Sequence, residues 1–493
     1  MKKEVLYPFV LSFVFSIFYV GVFSYSTSCL YTNPAEIVDP SFYKLIGWGW
    51  SEGKLPYIDL WDHKGPLIFF INAIGYILCG SEIGVMIIQV IFMTFTIFLV
   101  YQTYIVYFSK SYGIILTLFT LILLTVGYSL YGGGNFTEEY ILPLILASNY
   151  CVLLWLKNVQ GQPSNFPPKY ALLMGLVLSF AFLTRLTNAL SVCGCALVIA
   201  LYLSFKKKWN NLLYNVFFFL VGFVLLTLPF IGYFSYLGIL DEMWYGTIVF
   251  NLDYASDGVG PSLHSIKDVI NYFFLYPFNH TILFLSLLFV IIYPKRRLAN
   301  TIWFVSALLL SIWFVNSDCY DHYGILAIAF VPICFIEAKL FYNDQKSLFS
   351  KMIILFIGVT FLFYAKKATL VLCKLPEVYK SANKSIVKYK EMINVIPDKD
   401  KGAFLAYNCK TELYLYLKIL PCFKIFSLQN NIINHREEIK NDLVINLKSG
   451  RIKWLMVNSS IKLHSEVSNV IENNYFLIKE DKTDNLMLYK FHQ

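Results

Sequence analysis

Charge is scarce in this sequence. Asp, Glu, Lys and Arg make up 14% of its 493 residues, against about 25% in an ordinary soluble domain. That shortfall excludes a water-exposed surface over most of the chain. Hydrophobic residues make up 57% and aromatics 18%. Apolar runs recur through the first three quarters, so the solvent those runs meet is lipid. No basic patch is interleaved with stacking aromatics, which removes nucleic acid as a partner. The net charge of +9 reads instead as the inside-facing loops of a membrane protein. Internal repeats and low-complexity tracts are also missing. The ten cysteines are scattered. Cys79, Cys151, Cys193, Cys195 and Cys334 lie in apolar runs, where cysteine acts as a small apolar filler. Cys193 and Cys195 form a C-x-C with no His or second Cys pair nearby, which argues against a metal site. Cys409 and Cys422 lie in the polar C-terminal part. There they form a disulfide, if that part is outside, or stay as two unpaired thiols.

Met1-Lys2-Lys3-Glu4 precedes an apolar run to about Tyr25. The basic start resembles a signal peptide, but the run is long enough to span and no small-residue cleavage pattern follows. The reading is an uncleaved first span with the N-terminus inside. Apolar spans are expected near 5–25, 84–107, 111–130, 139–157, 170–186, 188–205, 212–237, 278–294, 300–316, 323–343 and 350–365. The run 66–79 is short for a crossing, which needs about 20 residues. Charge decides its status. If 66–79 does not cross, Lys157, Lys206-Lys207-Lys208, Lys295-Arg296-Arg297 and Lys346 share a side with Lys2 and Lys3, the positive-inside arrangement. The segment 66–79 is therefore expected as an interfacial or re-entrant helix on the outer face. Loops 26–65, 131–138, 238–277 and 317–322 then lie outside together.

After about Ala365 the chain changes character. Residues 373–493 hold 19 Lys/Arg and 13 Asp/Glu. Strand-like runs at 402–407, 454–457, 475–478 and 486–489 alternate with amphipathic helical stretches at 411–419, 432–447 and 462–474. The alternation predicts a small α/β domain, and an odd span count puts it outside. The fold class is thus a polytopic α-helical membrane protein of about eleven spans. Residues 1–372 form its membrane domain and 373–493 a small extracytoplasmic α/β domain.

Loop 26–65 is too rich in charge and proline to be a mere connector. Asp39 opens a short segment, 40–52, that looks helical. Gly53, Pro56-Tyr57, Asp59, Asp62, His63, Lys64, Gly65 and Pro66 follow. Carboxylates and a lysine thus stand just before the short helix 66–79. Asp39 suits proton abstraction from an acceptor hydroxyl or amine, or metal binding. Lys64, with nearby backbone donors, suits a phosphate. The plain alternative is a solvated loop with capping aspartates.

An early Asp, about twenty residues, Gly-x-x-Pro-Tyr, and then Asp-x-Lys-x-Pro before an amphipathic helix resembles the GT-C class of membrane glycosyltransferases. The branch is the family 39-type one of protein O-mannosyltransferases and the bacterial transferase that adds aminoarabinose to lipid A. Asp39 matches that family's catalytic Asp in the first extracytoplasmic loop. The family's Lys-Pro-Pro stands here as Lys64-Gly65-Pro66, which keeps the lysine and loosens the turn. Three further places fit. Gly132-Gly-Gly-Asn-Phe-Thr-Glu138-Glu139 opens the fourth span, where the family has an acidic residue; Glu138 is the preferred match and Glu139 the second. A helix N-terminus also favours such a pair through its dipole. Leu183-Thr184-Arg185 closes the fifth span, where relatives carry Lys or Arg near the lipid phosphate; simple snorkelling is the plainer reading of Arg185. Asp318-Cys-Tyr-Asp321-His322-Tyr323 resembles a His-Tyr before a late span, or is an ordinary polar loop.

The resemblance covers roughly residues 1–340. It implies a glycosyltransferase acting on a hexose or pentose carried by a polyprenyl phosphate, with membrane lipids around it and a glycan, lipid or protein as acceptor. The implied place is a bacterial inner membrane, with the active site and C-terminal domain extracytoplasmic. Lys64 and Arg185 would hold the phosphate, and Asp39 would activate the acceptor. Asp62, Glu138, Glu139, His322 and Tyr323 would contact sugar, acceptor or a metal. No cofactor is certain, and a divalent cation (Mg or Mn) is left open. One rival is a flippase or transporter for lipid-linked saccharides, which predicts internal repeats and midplane charges. Another is a polysaccharide polymerase or ligase, whose main outer loop would come late.

Overall fold

An apolar chain in lipid must satisfy its backbone hydrogen bonds within each segment, and the α-helix does so. The computed structural model describes residues 3–28, 30, 38–125, 133–159, 165–256, 277–315, 321–427 and 429–492. The first helices are α1 (Lys3–Phe23), α2 (Val38–Ser51), α3 (Pro66–Cys79), α4 (Glu82–Ile105), α5 (Lys110–Leu124), α6 (Thr137–Val159), α7 (Pro168–Phe182), α8 (Leu190–Phe205) and α9 (Trp209–Tyr236). Then come α10 (Pro277–Ile292), α11 (Arg297–Val315), a 3-10 stretch (Asp321–Phe330) leading into α12 (Val331–Gln345), and α13 (Leu348–Ile393). Each of the eleven expected spans falls largely on one of these helices.

Among the described residues six helical stretches are long and apolar enough to cross a membrane: Glu4–Phe23, Glu82–Ile105, Thr137–Asn158, Leu186–Phe205, Trp209–Tyr236 and His322–Gln345. Shorter apolar helices include Pro66–Cys79, Lys110–Leu124, Pro168–Phe182, Thr281–Ile292 and Leu348–Thr360. The chain packs as two units. One comprises Met1–Leu30, Met86–Gly238 and Val249–Leu375; the other comprises Tyr31–Val85, Ile239–Ile248 and Pro376–Gln493. The change of composition near 373 falls inside α13, not at a linker, since that helix runs for 46 residues.

In the first unit, helices meet through small residues and hydroxyls, as lipid-embedded helices do. A Cβ on Gly175 of α7 would stand 1.9 Å from the Phe219 carbonyl oxygen of α9. A Cβ on Gly222 of α9 would stand 2.1 Å from that of Leu172. Only glycine allows the two backbones to come this close. Ser179 and Thr227 share a hydroxyl hydrogen bond of 2.5 Å along the same seam. Asn211 at the start of α9 both donates to the Phe166 carbonyl (3.0 Å) and accepts from its N–H (2.9 Å). Ser16 of α1 meets Thr94 of α4 at 2.8 Å, and Tyr104 meets Thr120 of α5 at 2.8 Å. A buried ion pair joins Arg296 to Glu337 through two bonds of 2.8 Å. Cys195 is buried against Ser306 (3.1 Å), in keeping with the filler role read for it.

In the second unit, α3 has 14 residues. At 1.5 Å per residue it is about 21 Å long, a short apolar helix like Lys110–Leu124 and Pro168–Phe182. Pro66 at its first turn and left-handed Gly80 at its end give it the usual helix start and stop. It packs on α2, where Gly47 lets the backbone of Asn72–Ala73 approach within 2.8 Å of a would-be Cβ. The C-terminal part adds β1 (Phe404–Tyr407), α14 (Glu412–Leu417), α15 (Gln429–His435), α16 (Glu437–Lys448), β2 (Trp454–Asn458), α17 (Ser465–Asn474), β3 (Tyr475–Asp481) and β4 (Leu486–Phe491). The strands lie in the order β1-β2-β4-β3. β1 and β2 are parallel, with Phe404 opposite Trp454; β4 is antiparallel to both neighbours. All of β1 and nearly all of β2 are buried, as a strand covered on both faces requires. The strands fall where the alternation in the sequence put them, and the single helical stretch expected at 432–447 is divided into α15 and α16. Cys409 and Cys422 are unpaired, and burial pushes both thiols up to about 12.

Candidate functional site

Asp39 sits in the first turn of α2, half-buried, where the helix dipole favours a carboxylate. It accepts a hydrogen bond of 3.3 Å from the hydroxyl of Tyr43, one turn on. Tyr43 is buried, and its ring lies 6.4 Å from that of Phe69 in α3. The loop from Gly53 to Gly65 is tightly folded. The Asp59 carboxylate accepts from the Leu55 N–H at 2.8 Å, closing a turn around Pro56. Tyr57 adopts a left-handed conformation with φ of 70°, which costs a bulky residue energy and marks a position held by its surroundings. Its buried hydroxyl donates to the Lys64 carbonyl at 2.7 Å and lies 3.3 Å from Thr247. Burial and the nearby Asp62 push this hydroxyl well above its usual range, with Thr247 pulling the other way, so it stays protonated. Thr247 lies in a π-helical turn, Tyr245–Val249, a feature frequent at functional sites.

Asp62, His63 and Lys64 form a chain. The Asp62 carboxylate lies 3.1 Å from His63 Nδ1. The Lys64 Nζ lies 2.8 Å from His63 Nε2. An ammonium can only donate, so Nε2 is the acceptor and Nδ1 carries the ring proton toward Asp62. Asp62 is buried, which raises its pKa. The electrostatic pull of His63, the hydrogen bonds from it and the Lys64 charge outweigh that and hold the carboxyl at about 2. The sequence reading missed His63 as a partner. The run Asp-His-Lys was the available signal.

The C-terminal part belongs to the same unit as this loop. The Trp61 N–H donates to the Lys424 carbonyl at 3.0 Å, and Phe42 meets Phe426 with ring centroids 5.4 Å apart. Lys44 of α2 is fully buried. Burial raises the pKa of Glu412 in α14, against the pull of Lys410 and Lys44.

The first unit brings together Glu138, Arg185 and Tyr323. Arg185 donates to Glu138 Oε1 at 3.2 Å and to the Tyr323 hydroxyl. Its guanidinium also lies 3.9 Å from the centroid of the Tyr323 ring and 4.8 Å from that of Trp313. Thr137 donates to the second oxygen of Glu138 at 2.9 Å, and Asn188 donates to Thr137 at 3.2 Å. His322 stacks on Phe136 with centroids 4.3 Å apart. Glu139, the next residue, faces elsewhere. Its carboxylate accepts from Gln89 (3.0 and 3.2 Å) and from the Asn135 N–H (2.7 Å), a hold on the loop that enters α6. Glu138 therefore has the arginine, and Glu139 has neutral amides. Asp318 and Gly132 lie outside the described residues, as do parts of loops 26–65, 131–138, 238–277 and 317–322. Among the described residues no three His, Cys, Asp or Glu side chains stand together as a metal cage.

Residues 63–233 match the family described as dolichyl-phosphate-mannose-protein mannosyltransferase. No curated protein sequence matches the chain. ArnT from Cupriavidus metallidurans in the apo state is similar in fold, with a TM-score of 0.55 and 12% identity over 97% of each chain. The archaeal oligosaccharyltransferase AglB from Archaeoglobus fulgidus, in complex with an inhibitory peptide and a dolichol-phosphate, is similar with a TM-score of 0.52 and 12% identity. That match covers 100% of this chain and 74% of the other. The helices, the small C-terminal sheet and these matches together make the chain an integral membrane protein with the GT-C fold of membrane glycosyltransferases.

Proposed function

We propose that the protein is a glycosyltransferase that moves a sugar from a polyprenyl-phosphate donor to an acceptor at the extracytoplasmic face of a bacterial inner membrane. The match to the mannosyltransferase family supports this reading, as does the dolichol-phosphate seen with AglB. The observation that carries it is Lys64. Its ammonium is held beside a buried loop, immediately before α3, and hydrogen bonds to charged donors are the strong ones for phosphate. The donor sugar is a hexose or pentose; the acceptor is a glycan, lipid or protein. Residues 1–372 act as the transferase and 373–493 as its extracytoplasmic α/β domain.

In the proposed reaction Asp39 takes the proton from the acceptor O–H or N–H. The freed electron pair attacks the anomeric carbon, and the bond to the phosphate oxygen breaks with its electrons leaving on the lipid phosphate. The phosphate goes from one negative charge to two. A lysine ammonium about 4 Å away would offset roughly 4 kcal/mol of the added charge at an effective dielectric near 20. Arg185 is the second cation proposed for phosphate. Asp62, Glu138, His322 and Tyr323 are proposed to contact sugar or acceptor. Of the candidate carboxylates, Glu138 is paired with Arg185 and Asp62 with His63, so a divalent cation would have to displace those partners.

The test is transfer of radiolabelled sugar from polyprenyl-phosphate donors by the purified chain, beside Asp39→Asn. Loss of a general base lowers the rate by roughly 100-fold to 10,000-fold. Equal transfer by the two proteins would remove Asp39 from the reaction.

A further inference from the structure

The Lys64 ammonium sits one residue beyond His63 and two beyond Asp62, yet its hydrogen bond goes to the imidazole. The carboxylate bonds the far side of the same ring. Among the described residues His63 is the one hydrogen-bond partner of the ammonium. A lysine needs such a hold, because its long stem has four rotatable bonds and its charge wanders unless something orients it. A carboxylate would orient it more strongly and would also cancel the charge that an anion must see.

We infer that His63 is a positioning residue that holds Lys64 ready for an anionic phosphate while keeping Asp62 from pairing with it. The inference rests on the phosphate role proposed for Lys64. Asp62 fixes the ring by accepting from Nδ1–H, so Nε2 always presents a lone pair to the ammonium. The buried Tyr57 hydroxyl clamps the Lys64 backbone from the other side, which sets where the side chain begins. A neutral acceptor takes one of the three ammonium hydrogens and leaves the net charge intact. Two hydrogens remain to reach phosphate oxygens. Removing the imidazole frees the Asp62 carboxylate to swing onto Lys64 and occupy it, so Asp62 becomes an internal competitor of the phosphate.

The experiment is binding of undecaprenyl phosphate to the purified full chain in detergent, read by native mass spectrometry. Thermal melts check the fold of each variant. Lys64→Ala is expected to weaken binding. His63→Ala is expected to weaken it about ten-fold, the size of one hydrogen bond to a charged group. The double variant Asp62→Asn with His63→Ala is expected to regain part of that loss, since the competing carboxylate is gone while the hold on Lys64 is still missing. A merely structural His63 would not be rescued by a second substitution. If His63→Ala loses the fold, His63→Asn and His63→Gln decide. Asn keeps the donor to Asp62 and falls short of Lys64, so it binds about as the double variant does. Gln reaches Lys64 with its amide oxygen, donates to Asp62 from its amide nitrogen, and binds nearly as the native protein does. The inference is overturned if His63→Ala binds like the native protein, if the double variant binds no better than His63→Ala, or if Asn and Gln bind alike. If the native protein does not bind, or Lys64→Ala binds equally well, the phosphate role of Lys64 fails first.

Discussion

Removing Arg185 is expected to cost more stability than removing the charge of its partner. Glu138 is 1% exposed at its side chain and Arg185 is 19% exposed. Breaking a buried pair by deleting one member costs about 3–5 kcal/mol, because the remaining charge is left in a poor solvent. In Arg185→Ala the stranded group is the Glu138 carboxylate, whose remaining bond is to Thr137. The cost should fall near the upper part of that range. In Glu138→Gln the stranded group is Arg185. It keeps the Tyr323 hydroxyl and two aromatic faces at 3.9 and 4.8 Å, and cation–π contacts contribute about 1–2 kcal/mol in such places. The cost there should be about 1–2 kcal/mol. Adding Glu138→Gln to Arg185→Ala neutralises the stranded carboxylate and should restore about 2 kcal/mol. The assay is thermal unfolding of the purified protein in one detergent, run as a double-mutant cycle. A double variant no more stable than Arg185→Ala, or a Glu138→Gln variant less stable than Arg185→Ala, would refute the reasoning.

Asp62 titrates near 2 in the fold, against an ordinary value of 3.8. A depressed carboxyl stabilises the fold above its ordinary value, and that stabilisation fades as pH falls toward the folded value. Asp62→Asn should therefore cost about 2 kcal/mol at pH 7, and roughly half of that at pH 3. Melts at pH 7, 5 and 3 check it, and a constant difference down to pH 3 would contradict it. The Cys409 and Cys422 thiols, pushed up to about 12 by burial, should resist maleimide at pH 7 in the folded protein and react after denaturation, since the thiolate is the reactive form. Mass spectrometry before and after denaturation reads the result, and prompt labelling of the native protein would overturn it.

Much of the helical layout was readable because lipid leaves the backbone few choices. The α/β alternation after 400 was readable for a different reason: strand runs such as Trp454–Val457 and helices such as Glu437–Lys448 differ in period. Where the helix that begins at Leu348 ends was not readable. The charge change near 373 marks a new environment, but a helix can pass through such a change unbroken, and α13 does. The choice between Glu138 and Glu139 was also closed to the sequence. Both suit a helix N-terminus, and neighbours on a helix point about 100° apart. Only packing shows that one meets Arg185 and the other Gln89. His63 was visible as a letter between Asp62 and Lys64, but its role depends on which ring nitrogen faces which neighbour, a matter of side-chain torsion.

The seam between α7 and α9 has a consequence for how this sequence can drift. Much of α9 is exposed, with large apolar residues such as Leu213, Phe217, Leu220 and Leu228 on its surface. Lipid accepts nearly any apolar side chain there, so those positions should exchange freely among Leu, Phe, Val and Ile. Gly222, and Gly175 opposite it, should admit almost nothing. A saturation library of α9 should therefore show one permissive flank and one narrow intolerant line, with Asn211, Asn215, Gly222 and Thr227 along it.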